Sequence, residues 1–385
     1  MNIGVFFGSR SPEHDVSVIT GEFIISGLKK MGHNPIPVYW DKNGRWFLDK
    51  ALSELKFFKD GEGDLKKLNS YFLDLEKSVG RMVFKQKGLF GKEVIIDLAF
   101  PAFHGQNGED GTAQGWFEIC SMPYVGCDVA SSAISMDKVL TKEFYQAHNI
   151  ATAKFVSFFA YDFKKEPEKI WQKFVSLRYP LFVKPARLGS SIGINKVKNA
   201  TELSEAIEVA MHYENKILVE EGVENLMDVT CAVLGNEEPK ASLLQESLFN
   251  EDLFSYDDKY LSDGGAQFGH ADSQLVIPAN LDKETTDYTQ KLAVKIFKLL
   301  GCSGTARIDF LYDQKSRVMY ANEINALPGT LYHHLWKKSG LEFEDLLQEL
   351  IKLAQEKYAQ KQKLIFSFDS AILQKANSMK LNPKE

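Results

Sequence analysis

The chain has 385 residues, 44% of them hydrophobic and 25% charged, with a formal net charge of −6. That length is more than one core of ordinary size and predicts two or three domains. The mild acidity removes any bulk electrostatic reason to expect nucleic acid or an anionic membrane as a partner. Four scattered cysteines (Cys120, Cys127, Cys231, Cys302) have neither CxxC nor Cys/His ligand spacing, so they are read as reduced, buried thiols. The opening MNIGVFFGSRSPEHD lacks the basic and apolar regions of a signal peptide. No apolar run approaches the ~18 residues of a membrane helix. A cytoplasmic location is expected.

In chain order, NIGVFFG reads as a buried strand ending in a glycine turn, and VSVITGEFIISGLKKMGH has helical spacing up to Gly32. NPIPVYWD is a second strand, so the chain opens as β-loop-α-β, the start of a parallel α/β sheet. Residues 50–92 read as peripheral hairpins and a helix. EVIIDLAFPAFHG is one more buried strand, running into the loop HGQNGEDGTAQGWFE. Residues 128–150 predict a helix pair. From about residue 151 a new block begins, with strands at KFVSFFA, YPLFVKPA and KILVEEGV. A hairpin, a long polar loop to residue 274 and a helix at 282–300 come next. Two further strands carry GTARIDFLYD and VMYANEIN, before a last helix near 342–360. The domain boundaries expected are 1–127, 128–222 and 223–360, with a peripheral tail at 361–385.

The chain contains no GxxxxGKS/T and no GxGxxG, which disfavours Walker-type NTPases and Rossmann dehydrogenases. FVKPARLGSSIGINKV nevertheless has Lys184 leaving an apolar run beside Gly189, Ser190, Ser191 and Gly193. Glycines let backbone N–H groups approach an anion and a lysine supplies a point charge, so this loop suits a polyphosphate. It equally suits a flexible hairpin with a solvated lysine, and the stretch alone does not decide. SAISMDKVL adds Lys138 on a helix. The sharper pattern is ARIDFLYDQKSRVMYANEINALPG. Strand alternation there puts Arg307 and Asp309 on one face, and Glu323 and Asn325 on the matching face of the next strand. Two carboxylates and an amide in an apolar hairpin are costly unless they meet something positive. Hard oxygen ligands of this kind suit Mg²⁺, while an Arg–Asp–Glu ion cluster is the plainer reading. GSRSPEHDVS offers Glu13, His14 and Asp15 at a helix start, and HGQNGEDGTAQG offers His104 and Glu109.

Taken together, the segments GSxSxEHDVS, HGxxGEDGxxQG, SAxxMDK, VKPAxxGSSxGI, VEE, KYLSD, ARIDF and NEINALPG resemble the D-alanine–D-alanine ligase family of the ATP-grasp superfamily. They run in the family's order from about residue 4 to 335. The resemblance implies a three-domain ATP-grasp fold, an α/β (in part α+β) architecture with an N-terminal parallel α/β sheet domain. The implied enzyme is a cytoplasmic, ADP-forming ligase for peptidoglycan synthesis, acting on small molecules. ATP phosphorylates the carboxylate of one D-alanine. The amine of a second attacks the acyl phosphate, and phosphate leaves from a tetrahedral intermediate.

Roles follow residue by residue. Lys138 and Lys184 contact the ATP phosphates, Glu220 and Glu221 hold the adenine, and Asp309, Glu323 and Asn325 carry two Mg²⁺ ions, a site that also accepts Mn²⁺. Arg307 stabilises the tetrahedral charge. Glu13 lies near the first substrate's ammonium and is tied through Ser190 to Tyr260. His104, Lys259, Gly329 and His334 line the second subsite. The usual assembly in the family is a homodimer.

Three places depart from the family pattern. Asp228 stands where the family has a glutamate on the ribose, with Glu224 as the alternative. TLYHHL replaces MTSHS after NEINALPG, which puts His334 where a serine is usual. The loop SDGGAQFGHADSQLVIPA is longer than usual. These last changes fall at the second subsite, so a sister ligase that joins D-alanine to D-serine or D-lactate is the alternative reading.

Overall fold

A computed structural model of the chain describes residues 1–59, 62–88, 91–248, 275–367, 369–370 and 372. Its strands form three sheets. The first contains β1 (Ile3–Gly8), β2 (Ile36–Trp40), β3 (Trp46–Phe47), β4 (Ser70–Leu73), β5 (Met82–Gln86), β6 (Glu93–Ile96) and β7 (Leu98–Pro101), in the order β6-β5-β4-β3-β2-β1-β7. Helix α1 (His14–Lys30) connects β1 to β2, a crossover that makes them parallel, and β7 is also parallel to β1. The pairings from β2 out to β6 are antiparallel; short turns impose that on β2–β3, β4–β5 and β5–β6, whereas β3 and β4 are joined by the longer segment 48–69. The sheet is therefore mixed. Residues 50–92, expected as peripheral hairpins, contribute strands to it, with the one-turn helix α2 (Lys56–Lys59) beside them.

The single strand expected over EVIIDLAFP is two strands that part at Asp97. The Asp97 carboxylate accepts from the Asn2 backbone N–H at 2.7 Å, and its own N–H donates to Asn2 O at 2.9 Å. One residue thus separates the two outer strands of the order, so the sheet curls around Phe6, Trp40, Phe84, Phe103 and Phe117. Helix α3 (Thr112–Ile119) closes that side, contributing Phe117.

The helix pair is present as α4 (Val129–Met136) and α5 (Lys138–Ala147). Asp128 caps α4 in a capping box with Ser131, and Asp137 caps α5 by accepting from Val139 and Leu140 N–H. The second sheet has β8 (Phe155–Phe159), β9 (Leu181–Pro185), β10 (Asn195–Val197) and β11 (Lys216–Glu221), all antiparallel, in the order β10-β9-β11-β8. It is backed by α6 (Ala160–Lys165), α7 (Pro167–Phe174) and α8 (Ala200–Tyr213). The third sheet has β12 (Leu226–Gly235), β13 (Lys240–Ser247), β14 (Leu275–Val276), β15 (Gly304–Asp313) and β16 (Val318–Asn325), in the order β14-β13-β12-β15-β16. Helix α9 (Lys283–Leu299) packs on it.

Two packing arrangements cut across the order of the chain. Tyr145 and Ile150 share a core with Val229, Ile308 and Phe310, which ties the helix pair to the third sheet. After the short α10 (His333–Lys338), helix α11 (Phe343–Lys361) returns to the first sheet and its helix α1. Its Leu346, Leu347, Leu350 and Ile351 join Ile24, Ile25 and Leu28 of α1. A Cβ at Gly27 would stand 2.5 Å from the Phe343 ring, so the two helices meet only because that residue is glycine. Both arrangements bring the ends of strands from different sheets to one cleft.

Candidate active site

The hairpin β15–β16 lays out the floor. Arg307 pairs with Asn325 and Asp309 with Glu323 across the strands, with an irregularity between Asp309 and Phe310 that leaves Asn322 as the extra residue. Ile308 and Ile324 face the core, as the alternation predicts. Arg307 Nε donates to Asp309 at 3.0 Å and Nη2 at 2.7 Å, while Nη2 stands 3.8 Å from Glu323. Thr230 Oγ1 also donates to Asp309, at 2.9 Å, and Asn325 Nδ2 at 3.2 Å. Burial alone would lower the Arg307 pKa, but the charge of Asp309 holds it well above the ordinary arginine value. Its guanidinium carbon sits 5.0 Å from the centre of the Tyr332 ring.

This donor set of two carboxylates and one amide on a single sheet face, with Asp309 paired to Arg307, fits a hard divalent cation. Among the described residues, no group of three or more His, Cys, Asp and Glu side chains is arranged to hold a metal.

The roof is a loop. Ser190 and Ser191, at φ +53° and +59°, turn the chain after β9 back over the floor. Lys138 Nζ donates to Leu188 O at 2.8 Å and stands 3.6 Å from Glu323, so it joins roof to floor. The Ser190 hydroxyl donates to Glu13 Oε1. Gly189 and Gly105 are required here, because a Cβ on either would stand 2.5–2.6 Å from Glu13 Oε2. Burial raises the Glu13 pKa, and the charge of Glu109 raises it further, against lowering by Ser190, His104 and Lys138. Glu13 is placed by its own turn. His14 Nδ1 meets Ser9 O at 2.6 Å and Nε2 meets Tyr39 Oη at 2.9 Å. His14 is therefore a structural clamp. Asp15 is exposed, 3.6 Å from Lys42.

His104 is buried. Its Nε2 is 2.8 Å from Thr20 Oγ1 and its Nδ1 is 3.6 Å from Glu109, while Thr20 Oγ1 accepts from Thr330 N–H at 3.4 Å. That chain of contacts reaches the segment after Gly329. Thr330, Leu331 and Tyr332 have φ of +46°, +57° and +52°, three successive left-handed residues without a glycine. Each costs about 1–2 kcal/mol, so packing must hold the turn. Leu331 and Tyr332 are accordingly buried. The Tyr332 hydroxyl accepts from Gln245 Nε2 at 3.4 Å, and His334 Nε2 lies 2.7 Å from Gln245 Oε1. Burial pushes the Tyr332 phenol up to about 12.

Behind the roof, Glu220 lies between two lysines. Lys184 Nζ is 2.5 Å from its Oε1 and Lys142 Nζ is 2.7 Å from its Oε2. Burial raises the Glu220 pKa, but the two ammonium groups outweigh it and hold the carboxyl down at about 2. Glu221 points to the other face of β11, where its carboxylate accepts from Arg178 N–H and Nη2 at 3.1 and 3.2 Å. Asp228 lies on the same face of β12 as Thr230, and Glu224 is exposed ahead of that strand.

Of the residues singled out in the sequence, Glu13, His104, Lys138, Ser190, Arg307, Glu323, Asn325 and Gly329 line one open cleft. Asp309 lies in the floor beside Arg307, and Lys184 and Glu220 lie behind the roof. Asp228, Glu221 and His334 lie outside that lining. Lys259 and Tyr260 fall outside the described residues. Sequence reasoning missed Lys142, Thr230 and Gln245. Lys142 alone had a local signal, its place one turn after Lys138.

The three sheets, with lysines of the middle block and acids of the last meeting beneath a small-residue loop, define an ATP-grasp fold. The family model described as D-ala D-ala ligase N-terminus matches residues 2–127, and the one described as D-ala D-ala ligase C-terminus matches residues 144–352. The chain belongs to the D-alanine–D-alanine ligase family. It is 39% identical to a D-alanine–D-alanine ligase of Thermosipho melanesiensis over 376 residues, covering 97% of this chain and 98% of the relative. Among solved structures it resembles the D-alanine–D-alanine ligase of Coxiella burnetii, with a TM-score of 0.78 and 29% identity over 94% of this chain and 96% of that one. It also resembles the VanG D-Ala:D-Ser ligase of Enterococcus faecalis, with a TM-score of 0.77 and 33% identity over 92% and 99%. Among the described residues, no helix is long and apolar enough to cross a membrane.

Proposed function

We propose that the protein joins two D-alanine molecules into D-alanyl-D-alanine for peptidoglycan synthesis, converting ATP to ADP and phosphate. The observation that carries this reading is the convergence of Glu13, Lys138, Arg307 and Glu323, from three separate segments, on one cleft. In this reading a carboxylate oxygen of the first D-alanine attacks the γ-phosphorus of ATP and ADP leaves. The second D-alanine's amine then attacks the acyl carbon, loses a proton, and expels phosphate.

Two anions must meet in the first step, and Lys138 and Lys184 lower that repulsion by holding the phosphates. When bound at Asp309, Glu323 and Asn325, Mg²⁺ supplies the remaining neutralisation, and Mn²⁺ suits the same oxygens. Glu13 holds the first substrate's ammonium and, through Ser190, keeps the roof loop down, with Tyr260 completing that link. Arg307 serves the second step. Its Nε and Nη2 are held by Asp309, so the guanidinium is already oriented when the oxyanion forms. Glu220 and the adjoining backbone at Glu221 hold the adenine, and Asp228 or Glu224 the ribose. His104, Lys259, Gly329 and His334 shape the second subsite. The division at 127, 222 and 360, the homodimer and the cytoplasmic location belong to the same proposal.

Phosphate release with Mg²⁺, ATP and D-alanine alone, giving the dipeptide by mass, is the expected result. L-alanine should give none. A second reading, in which D-alanine is joined to D-serine or D-lactate, draws support from the His334–Gln245 contact that replaces the family serine. Product that forms only from a mixed pair would establish it.

A further inference from the structure

Lys142 is a buried cation that none of these roles uses. It lies one turn beyond Lys138 on the same face of α5 and is 1% exposed. Its Nζ donates to Thr152 Oγ1 at 3.0 Å and stands 2.7 Å from Glu220 Oε2, the oxygen that Lys184 does not hold. Burying an ammonium is costly, and Glu220 already had one counter-charge in Lys184. A second cation is therefore not needed for neutrality. With two ammonium groups on one carboxylate, the cluster has an excess of one positive charge. That excess emerges through Lys184, whose side chain is 11% exposed and extends from the strand beneath the roof loop, whereas those of Lys142 and Glu220 are 1% and 2% exposed.

We propose that Lys142 is a positioning residue for the nucleotide. By occupying one oxygen of Glu220 it fixes that carboxylate and leaves Lys184 with a net charge to offer a polyphosphate. Without Lys142, Lys184 and Glu220 form a neutral pair and the phosphates meet no excess charge. The inference rests on the nucleotide reading of Lys184 and Glu220 given above.

The test is an equilibrium titration with Mg²⁺-ATP, together with separate KM values for ATP and D-alanine, on five variants and the unchanged protein. Lys142→Met is expected to weaken ATP binding by about ten-fold or more. Its KM for D-alanine should stay within about two-fold of the unchanged protein. Lys142→Arg keeps the charge and should stay within about three-fold. The decisive comparison is the double Lys142→Met/Glu220→Gln against Glu220→Gln alone, in which any lost adenine contact is common to both: there Lys142→Met should change ATP affinity by less than about three-fold, because no carboxylate charge is left for Lys142 to hold. A merely structural Lys142 would lower the melting temperature of Lys142→Met without moving its ATP affinity, and that result overturns the inference. A Lys142→Met effect as large in the Glu220→Gln background as in the unchanged protein overturns it too. Thr152→Val covers the case in which Lys142→Met does not fold. It should weaken ATP binding by about three-fold with the D-alanine KM unchanged, and unaltered binding counts against the proposal. An unchanged protein that binds no ATP at all would instead overturn the nucleotide reading itself, a result distinct from either of these.

Discussion

The wall of the cleft behind the roof loop and the wall beyond Gly329 are built in opposite ways. Behind the roof, Lys142, Glu220 and Lys184 form full ion pairs inside the protein, all on helices and strands with regular geometry. Beyond Gly329 the contacts are mainly neutral. Tyr332, on a turn of three left-handed residues, shares amide, phenol and imidazole hydrogen bonds with Gln245 of β13 and His334 of α10. The first wall is held by charge and changes little without large cost. The second is held by packing against strain, so a single substitution can reshape it. If the first wall holds the nucleotide and the second the second amino acid, as proposed above, constancy is expected at the first and divergence at the second. The TLYHHL departure from the family pattern falls on the second wall, while the Asp228 departure lies on β12, outside the cleft lining.

The largest test of this contrast is Arg307, which lies in the floor between the walls, held by Asp309 and packed on Tyr332 of the second wall. Arg307→Met should lower the rate of dipeptide formation by about 10²–10³-fold, as loss of an oxyanion donor does. Rapid-quench measurement of a single turnover checks it, and a loss confined to ATP binding would argue against the role.

Glu13→Gln should reduce kcat/KM for D-alanine by about a hundred-fold, because the neutral amide cannot hold an ammonium. The same variant should melt higher near neutral pH. The folded Glu13 pKa is raised, so its stabilising contribution is present below the unfolded value of 4.5 and is lost as pH rises through the folded one. The amide removes that loss, and a variant that melts lower at neutral pH would contradict it.

Glu220 has the opposite sign. Its pKa is lowered from 4.5 to about 2, so its contribution is complete above 4.5 and is lost as pH falls towards about 2. The shift corresponds to about 3 kcal/mol. Glu220→Gln should therefore be less stable in denaturant at pH 7 and lose the difference at acid pH. A gap independent of pH would show that its ion pairs are not the source.

The smallest effect is expected at the second wall. His334→Ser should shift the KM for the second amino acid by about ten-fold in either direction, and alter the ratio of D-alanine to D-serine used. Competition between the two acids, read by mass, measures this, and the KM for ATP should stay constant.

Much of the floor and roof of the cleft was legible because its residues sit in short contiguous motifs. Lys138 follows its own helix cap, Lys184 ends an apolar strand, and Arg307, Asp309, Glu323 and Asn325 obey a simple alternation across one hairpin. The helix boundaries expected at 282–300 and 342–360 match Lys283–Leu299 and Phe343–Lys361 for the same reason, a strong local period. The direction of strands β3 to β6 was not legible, since alternation is the same in parallel and antiparallel pairs, and the break at Asp97 depends on Asn2, far off in sequence. His104 was expected to line the second subsite. Its contacts with Thr20 and, through it, Thr330 join segments that no local pattern connects.

By itself, then, the sequence determined the elements, the hairpin carrying the acids and the family, because each depends on spacing along a few turns or strands. Tertiary structure alone decided that Lys142 and Lys184 share Glu220, that Ser190 closes on Glu13, and that α11 packs on α1. These are contacts between groups up to hundreds of residues apart. Their energies depend on burial and distance, which the order of residues does not contain.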